Sequence, residues 1–158
     1  MSGAGSSELR ADGTGLNVVI VAASWHQVIM DGLIAGAQSE CDRAGARHRL
    51  VRVPGCFELP VVAQEVAADP QVDAMICLGV IIRGGTPHFD FVAKAATDGL
   101  TRVALDSRTP VGFGVLTTDN EQQALDRAGL ADSPEDKGTE AAAAALVTAR
   151  LLKDARGT

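Results

Sequence analysis

Two uninterrupted apolar runs constrain the fold of this 158-residue chain more than any other feature. Residues 17–23 read NVVIVAA, and residues 73–82 read DAMICLGVII. Each run has the length of a strand and is apolar on both faces, which is typical of a strand buried inside a parallel sheet. The sequence therefore predicts an α/β fold with these two runs as buried strands.

Helical periodicity occupies the segments between and after these runs. Apolar residues recur at helical spacing over residues 27–44, and Gly45 stands where a left-handed cap would end that helix. The pattern predicts two more strands, 49–53 and 111–117, and further helices at 59–68, 88–105, 120–128 and 135–153. This alternation predicts a three-layer αβα fold, an open sheet of about four parallel strands with flavodoxin-like topology.

The length favours one domain, because domains usually have about 100–200 residues. Neither an internal repeat nor a linker divides the chain. Residues 1–15 (MSGAGSSELRADGTG) are rich in Gly and Ser, so we expect a flexible N-terminal arm followed by a single domain over residues 16–158.

Charge and cysteine content argue against several classes of protein. The 14 Lys and Arg against 20 Asp and Glu give a net charge of −6, which disfavours binding to nucleic acids or anionic membranes. No apolar run approaches the roughly 20 residues of a membrane span and no targeting segment is visible, so we expect a cytoplasmic protein. The three cysteines form no CxxC pair and share no ligand spacing with the three histidines, so neither a disulfide framework nor a metal site is expected.

Candidate functional residues lie where the predicted strands end, because ligands of open α/β sheets bind beyond the carboxyl ends of strands. The first three strands are followed by Ser24-Trp25-His26, by Gly55-Cys56-Phe57-Glu58 and by residues 83–90 (RGGTPHFD). These turns hold most of the few aromatic residues of the chain. Trp25 is either a large core residue or a ring that stacks on a flat heterocycle, and its place at a strand end favours stacking.

The third turn is typical of an anion site. Gly84 and Gly85 precede a predicted helix, whose N-terminal N–H groups attract phosphate, although a simple chain turn explains two glycines equally well. His88 would lie beside such an anion and could exchange protons near neutral pH, but a lone histidine is more often structural. Glu58 is either a partner of the helix dipole or an acceptor for a ligand hydroxyl or amide.

Arg127 and Lys137 lie in an otherwise acidic segment, DRAGLADSPEDKG. They are either surface ion-pair partners of nearby carboxylates or parts of a phosphate clamp. No Gly-Lys-Ser/Thr sequence follows Gly84, and Gly112-Phe113-Gly114 lacks the third glycine of a dinucleotide fingerprint. Binding of ATP, GTP or NAD is therefore not expected.

Taken together, these motifs resemble those of the lumazine synthase family. The resemblance covers about residues 16–152, with the motifs in the order and spacing of the family. Its most specific stretch is IRGGTPHFD. The motifs that carry it are Ser24-Trp25-His26, residues 53–60 (VPGCFELP), 79–90 (GVIIRGGTPHFD) and 114–118 (GVLTT), Arg127-Ala128-Gly129 and Lys137-Gly138. It implies a transferase of riboflavin biosynthesis without metal or organic cofactor. Such an enzyme condenses 5-amino-6-(D-ribitylamino)uracil with 3,4-dihydroxy-2-butanone 4-phosphate to 6,7-dimethyl-8-ribityllumazine, releasing phosphate and water.

The resemblance also implies roles for individual residues. The pyrimidine substrate would be held at the ends of the first three strands by Trp25, Cys56, Phe57, Glu58, Val80, Ile81 and Ile82. The phosphate of the second substrate would be held by Gly85, Thr86 and Arg127, and His88 would transfer protons. Trp25 stands where the family commonly has Phe, and Cys56 where it commonly has Ala or Ser.

A homo-oligomer with shared active sites is implied as well, because Phe113, Arg127 and Lys137 would reach the cleft from an adjacent subunit. The turn at residues 130–136 is longer than in sixty-subunit icosahedral members, which implies a homopentamer. The alanines of residues 141–145 are expected to expose methyl-sized side chains that allow two backbones to approach closely, although the high helix propensity of Ala explains the run as well. The alternatives are a non-catalytic flavin- or lumazine-binding oligomer and a structural shell, but His88 together with Arg127 favours the enzyme.

Overall fold

Residues 9–158, which the computed structural model describes, build a parallel four-stranded sheet in the order β2-β1-β3-β4 with helices on both faces. The predicted α/β fold is therefore confirmed. In chain order the elements are β1 (Asn17–Ala23), α1 (Gln27–Ala44), β2 (Arg47–Val53), a 3-10 turn (Cys56–Glu58), α2 (Leu59–Ala67), β3 (Ala74–Ile82), α3 (His88–Ser107), β4 (Val111–Thr118), α4 (Glu121–Leu125) and α5 (Lys137–Arg156).

Two apolar cores lie on opposite faces of this sheet. Helices α1 and α5 cover one core, and α2 and α3 cover the other. Along β1, Val18 and Ile20 belong to the first core, whereas Val19 and Val21 belong to the second. The central strands β1 and β3 are therefore apolar at almost every position because each of their faces meets a core.

Several elements begin or end at other residues than the sequence predicts. Strand β2 starts at Arg47, not at 49, because the Arg47 N–H donates to the carbonyl of Leu16 at 2.9 Å and continues the pairing with β1. Helix α4 is shorter than predicted, since the Asn120 side chain caps its start and the chain then turns into a bridge between Ala128 and Asp136. The Asp136 side chain accepts from the Thr139 N–H at 2.9 Å, so α5 begins only at Lys137.

The expected exposure of the alanine run in α5 is wrong. Ala142 and Ala145 are at most 1% exposed, because α5 packs against α1, β3 and β4 within the chain. A Cβ atom at Gly112 on β4 would collide with the carbonyl oxygen of Ala141. The small side chains therefore serve close packing of helix on sheet inside the subunit.

Gly138 lies where α5 packs closely on α1, because a Cβ atom there would collide with the carbonyl oxygen of Leu33. An unobstructed Gly-to-Ala change stabilises a protein by about 0.4–1 kcal/mol through the unfolded state. Here the clash outweighs that gain, so we expect Gly138→Ala to lower the free energy of unfolding by about 1–3 kcal/mol. Urea denaturation measures the effect, with Thr148→Ala on the exposed face of α5 as control. A Gly138→Ala protein as stable as the parent would contradict the close approach.

Residues 1–8 of the predicted N-terminal arm lie outside the described residues. Of the remainder, Gly13 donates its N–H to the carbonyl of Ala44 at 2.8 Å. The guanidinium of Arg150 binds the carbonyl oxygens of Asp12 and Thr14. The division into an arm over 1–15 and a domain over 16–158 stays a prediction.

Candidate active site

A cleft of about 500 Å³ lies beyond the carboxyl ends of the central strands. The ends of β1 and β2 are tied together, since Ser24 Oγ donates to the carbonyl of Val53 at 2.7 Å and Arg52 Nη2 to that of Ala23 at 3.0 Å. Most of the predicted site residues line this cleft: Trp25, Cys56, Phe57, Glu58, Val80, Ile81, Ile82, Thr86 and His88. Gly85 lies between two lining residues, Gly84 and Thr86.

Two aromatic side chains stand at the mouth of the cleft. Trp25 is 68% exposed and Phe57 is 64% exposed. His26 has a φ of 59°, in the left-handed region that non-glycine residues rarely adopt, and it turns the chain sharply from β1 into α1. The exposed Trp25 indole is accessible for stacking on a flat ligand.

Glu58 is the last residue of the 3-10 turn and directly precedes α2. Its Oε2 lies 3.2 Å, and the Nε1 of Trp25 3.7 Å, from the point that a Cβ atom on Gly55 would occupy. The carboxylate acceptor and the indole donor thus face the same space above Gly55. A polyol or an amide-bearing ring can bond to both.

Cys56 forms the deeper wall of the cleft. Its Sγ donates to the carbonyl oxygen of Val80 at 3.7 Å, and Gly79 makes room for the sulfur, since a Cβ atom there would lie 2.5 Å from it. Burial raises the pKa of the Cys56 thiol to about 11, against an ordinary value of 9.0. The side chain therefore acts at neutral pH as a protonated donor and not as a nucleophile.

One end of the cleft is formed by the loop that joins β3 to α3. Cβ atoms at Gly84 and Gly85 would meet nothing within 4 Å, so the loop backbone is open to a ligand. His88 is the first residue of α3, a helix of 20 residues whose N-terminus faces this loop. The open loop backbone, the positive end of the helix dipole and an exposed imidazole thus lie at one end of the cleft, an arrangement that suits an anion.

Phe113, Arg127 and Lys137 do not line the cleft of their own subunit. Phe113 is 46% exposed on the edge strand β4. Arg127 and Lys137 flank the bridge between Ala128 and Asp136, which brings the two cations to one side of the connection from α4 to α5. None of these three residues therefore contributes to the cleft of its own chain.

Both cations have carboxylate partners. Lys137 Nζ lies 2.5 Å from Glu135 Oε2 and 2.8 Å from Glu140 Oε2. Burial by itself would lower the pKa of Lys137, but the hydrogen bonds to Glu135 and Glu140 outweigh it and raise the pKa. Arg127 is less engaged, since its Nη1 donates to the carbonyl of Gln123 at 2.8 Å and its Nη2 lies 3.9 Å from Glu135. Arg127 thus has the more available charge.

The sequence left several lining residues without a role, among them His26, Phe89 and Val92. His26 and Phe89 belong to the strand-end turns, so their position was the signal. Val92 lies inside α3, one turn after His88. Helical spacing from His88 would have identified it, because residues four apart share a face.

Residues 9–158 hold neither a helix that could span a membrane nor a cluster of metal-binding side chains. None of the helices in this range is long and apolar enough to cross a membrane. Nor does the range contain a group of three or more His, Cys, Asp or Glu side chains that could hold a metal ion.

Comparison with known proteins shows what the chain is similar to. A family model described as 6,7-dimethyl-8-ribityllumazine synthase matches residues 15–153. A protein of that name from Leifsonia xyli subsp. xyli is 62% identical over 159 residues, covering 99% of this chain and 100% of the relative. Its namesake from Nocardioides sp. is 61% identical over 156 residues, covering 98% and 96%. The one from Streptomyces avermitilis is 55% identical over 155 residues, covering 97% and 96%.

Proposed function

Since the chain belongs to the 6,7-dimethyl-8-ribityllumazine synthase family, we propose that the cleft beyond its strand ends is its active site. The protein is a transferase of riboflavin biosynthesis. It joins 5-amino-6-(D-ribitylamino)uracil to 3,4-dihydroxy-2-butanone 4-phosphate and releases phosphate and water. The observation that carries the assignment of the site is the meeting of Trp25, Glu58, Thr86 and His88, from three separate turns, in one cleft of about 500 Å³.

The aromatic end of the cleft receives the pyrimidine substrate. Trp25 stacks on its ring, and the space above Gly55 lets Glu58 accept hydrogen bonds from the ribityl hydroxyls or ring N–H groups. Cys56 and Phe57 line the path of the ribityl chain, while Val80, Ile81 and Ile82 border the ring edge. A neutral Cys56 thiol fits this role, because it binds without reacting.

The loop end receives the phosphate substrate. Backbone N–H groups around Gly85 and Thr86 bind the phosphate, and His88 carries protons between the reacting amine and carbonyl groups. The described residues that line the cleft include no lysine, so the amine of the pyrimidine substrate itself attacks the ketone to form the imine. Holding both substrates face to face supplies a large share of the rate.

A neighbouring subunit completes the site in a homopentamer. The described lining residues include no Lys or Arg, although a phosphate that leaves as an anion calls for a cation. Arg127 supplies that charge from the adjacent chain, with Phe113 covering the exposed rings at the mouth. Lys137 acts mainly by holding Glu135, because two carboxylates already neutralise it.

The cytoplasm is the proposed location. All three cysteines, Cys41, Cys56 and Cys77, are buried free thiols, which suits a reducing compartment. The net charge of −6 offers no electrostatic attraction to nucleic acid or to an anionic membrane.

The proposed function is tested by mixing purified protein with both substrates and following lumazine absorbance. We expect product to form at a rate proportional to enzyme concentration, with heat-inactivated protein as control. Tight binding of flavin or lumazine without turnover would support the non-catalytic alternative and contradict the proposal.

Trp25 gives a direct report on the cleft, because it is the one tryptophan of the chain. Binding of 6,7-dimethyl-8-ribityllumazine is expected to quench its fluorescence. Stacking contributes about 0.5–1.5 kcal/mol, so Trp25→Ala should raise the Kd measured by calorimetry by roughly 2- to 13-fold. Trp25→Phe keeps an aromatic face and serves as the matched control. A Trp25→Ala protein that binds product as tightly as the parent would contradict stacking.

A further inference from the structure

Arg83 follows the last residue of β3 and belongs to the most specific sequence motif, yet it does not line the cleft. Its backbone N–H donates to the carbonyl of Thr118, the last residue of β4, at 2.8 Å. The residue therefore stands where β3, β4 and the loop to α3 meet.

The Arg83 side chain joins two segments that follow neighbouring parallel strands at the carboxyl edge of the sheet. Its Nε donates to Asp119 Oδ1 at 3.1 Å, just beyond β4, and its Nη1 donates to Asp90 Oδ1 at 3.4 Å, in the first turn of α3. Its guanidinium carbon lies 4.1 Å from the ring centroid of Phe89. A planar guanidinium can engage two carboxylates through its edge and an aromatic ring through its face, which an ammonium cannot.

Each of these contacts is weak by itself, because Arg83, Asp90 and Asp119 are 46%, 64% and 69% exposed. Their effect is geometric. Phe89 and His88 are adjacent at the start of α3, and both line the cleft. Whatever fixes Phe89 and Asp90 also fixes the backbone position from which the His88 imidazole extends.

We propose that Arg83 is a positioning residue, which holds the first turn of α3 against the ends of β3 and β4 so that His88 meets the substrates. This inference rests on the proposed function, because it assumes that the cleft is the active site and that His88 transfers protons there. Arg83 itself touches neither substrate.

The test is a double-mutant cycle with Arg83→Met and His88→Ala, read as kcat and KM for both substrates. We expect Arg83→Met alone to lower kcat by about tenfold, because a small misplacement of a reacting group is costly. In this single variant, KM for the phosphate substrate should stay within about twofold of the parent value. When Arg83→Met is added to the His88→Ala protein, kcat should fall by less than about twofold, because coupled residues act as one unit. Arg102→Met is the matched control, because Arg102 Nε bonds Asp106 at 3.1 Å on the exposed side of α3.

Arg83→Lys keeps the positive charge but loses the planar guanidinium, so it should show an intermediate loss of kcat. If Arg83→Met does not give a circular-dichroism spectrum like that of the parent, the cycle with Arg83→Lys decides. An unchanged kcat, an equal loss in both backgrounds, or a raised KM for the phosphate substrate at constant kcat would overturn the inference. A parent protein that forms no product would overturn the proposed function as well, and that result is seen before any variant is measured.

Discussion

Arg127→Ala is expected to lower kcat/KM for 3,4-dihydroxy-2-butanone 4-phosphate by roughly 10- to 150-fold. A hydrogen bond to a charged group is worth about 1.5–3 kcal/mol, and the described lining residues offer the phosphate no other Lys or Arg. The fold should survive, because Glu135 keeps Lys137 as a partner at 2.5 Å when Arg127 is lost. Steady-state kinetics with varied phosphate substrate measure the effect.

Two further variants separate the charge of Arg127 from its geometry and control for the loss of an arginine elsewhere. Arg127→Lys retains a point charge but loses the bidentate geometry, so it should recover part of the lost kcat/KM. Arg102→Ala removes a distant exposed arginine and should leave the kinetics unchanged. Kinetics of Arg127→Ala equal to those of the parent would exclude Arg127 from the phosphate site.

For His88→Ala we expect a fall in kcat of roughly 100-fold, at the low end of general acid–base contributions, because the substrates remain positioned. The exposed place of His88 at the start of α3 predicts little change in stability. His48→Ala is the control, since His48 lies on β2 and pairs with Asp42 at 3.0 Å, away from the cleft. A kcat of His88→Ala within about twofold of the parent would reassign His88 to a structural role.

The sequence predicted best the elements whose ends carry a clear local signal. β1 and α1 have the predicted bounds, because β1 is buried on both faces and Gly45 ends α1 in the left-handed conformation with a φ of 75°. The start of β2 escaped prediction, since Arg47 and His48 on an edge strand need not be apolar. The end of α4 depends on the bridge from Ala128 to Asp136, a pairing that no local pattern encodes.

The sequence also predicted some features of the candidate site and not others. The rule that ligands bind at strand ends led to Trp25, Glu58 and His88, and the family resemblance supplied their expected roles. Neither route predicted the stacking of Arg83 on Phe89, because that contact depends on the three-dimensional path of the loop between β3 and α3. Periodicity also carries no information about a second chain, so the place of Arg127 relative to a neighbour's cleft remains a proposal.

The claim that each active site is built from two subunits is tested most directly by mixing two inactive variants. His88→Ala and Arg127→Ala subunits with different affinity tags are refolded together, and rings that carry both tags are purified. If Arg127 serves the neighbour's cleft, about a quarter of the clefts in a random head-to-tail ring combine an intact His88 with an intact Arg127.

We therefore predict that the doubly tagged rings regain about a quarter of the parent activity, far above either variant alone. Light scattering on the same sample should give a mass near that of five subunits. Rings no more active than the average of the two variants would contradict the shared site and would place His88 and Arg127 in the cleft of one chain.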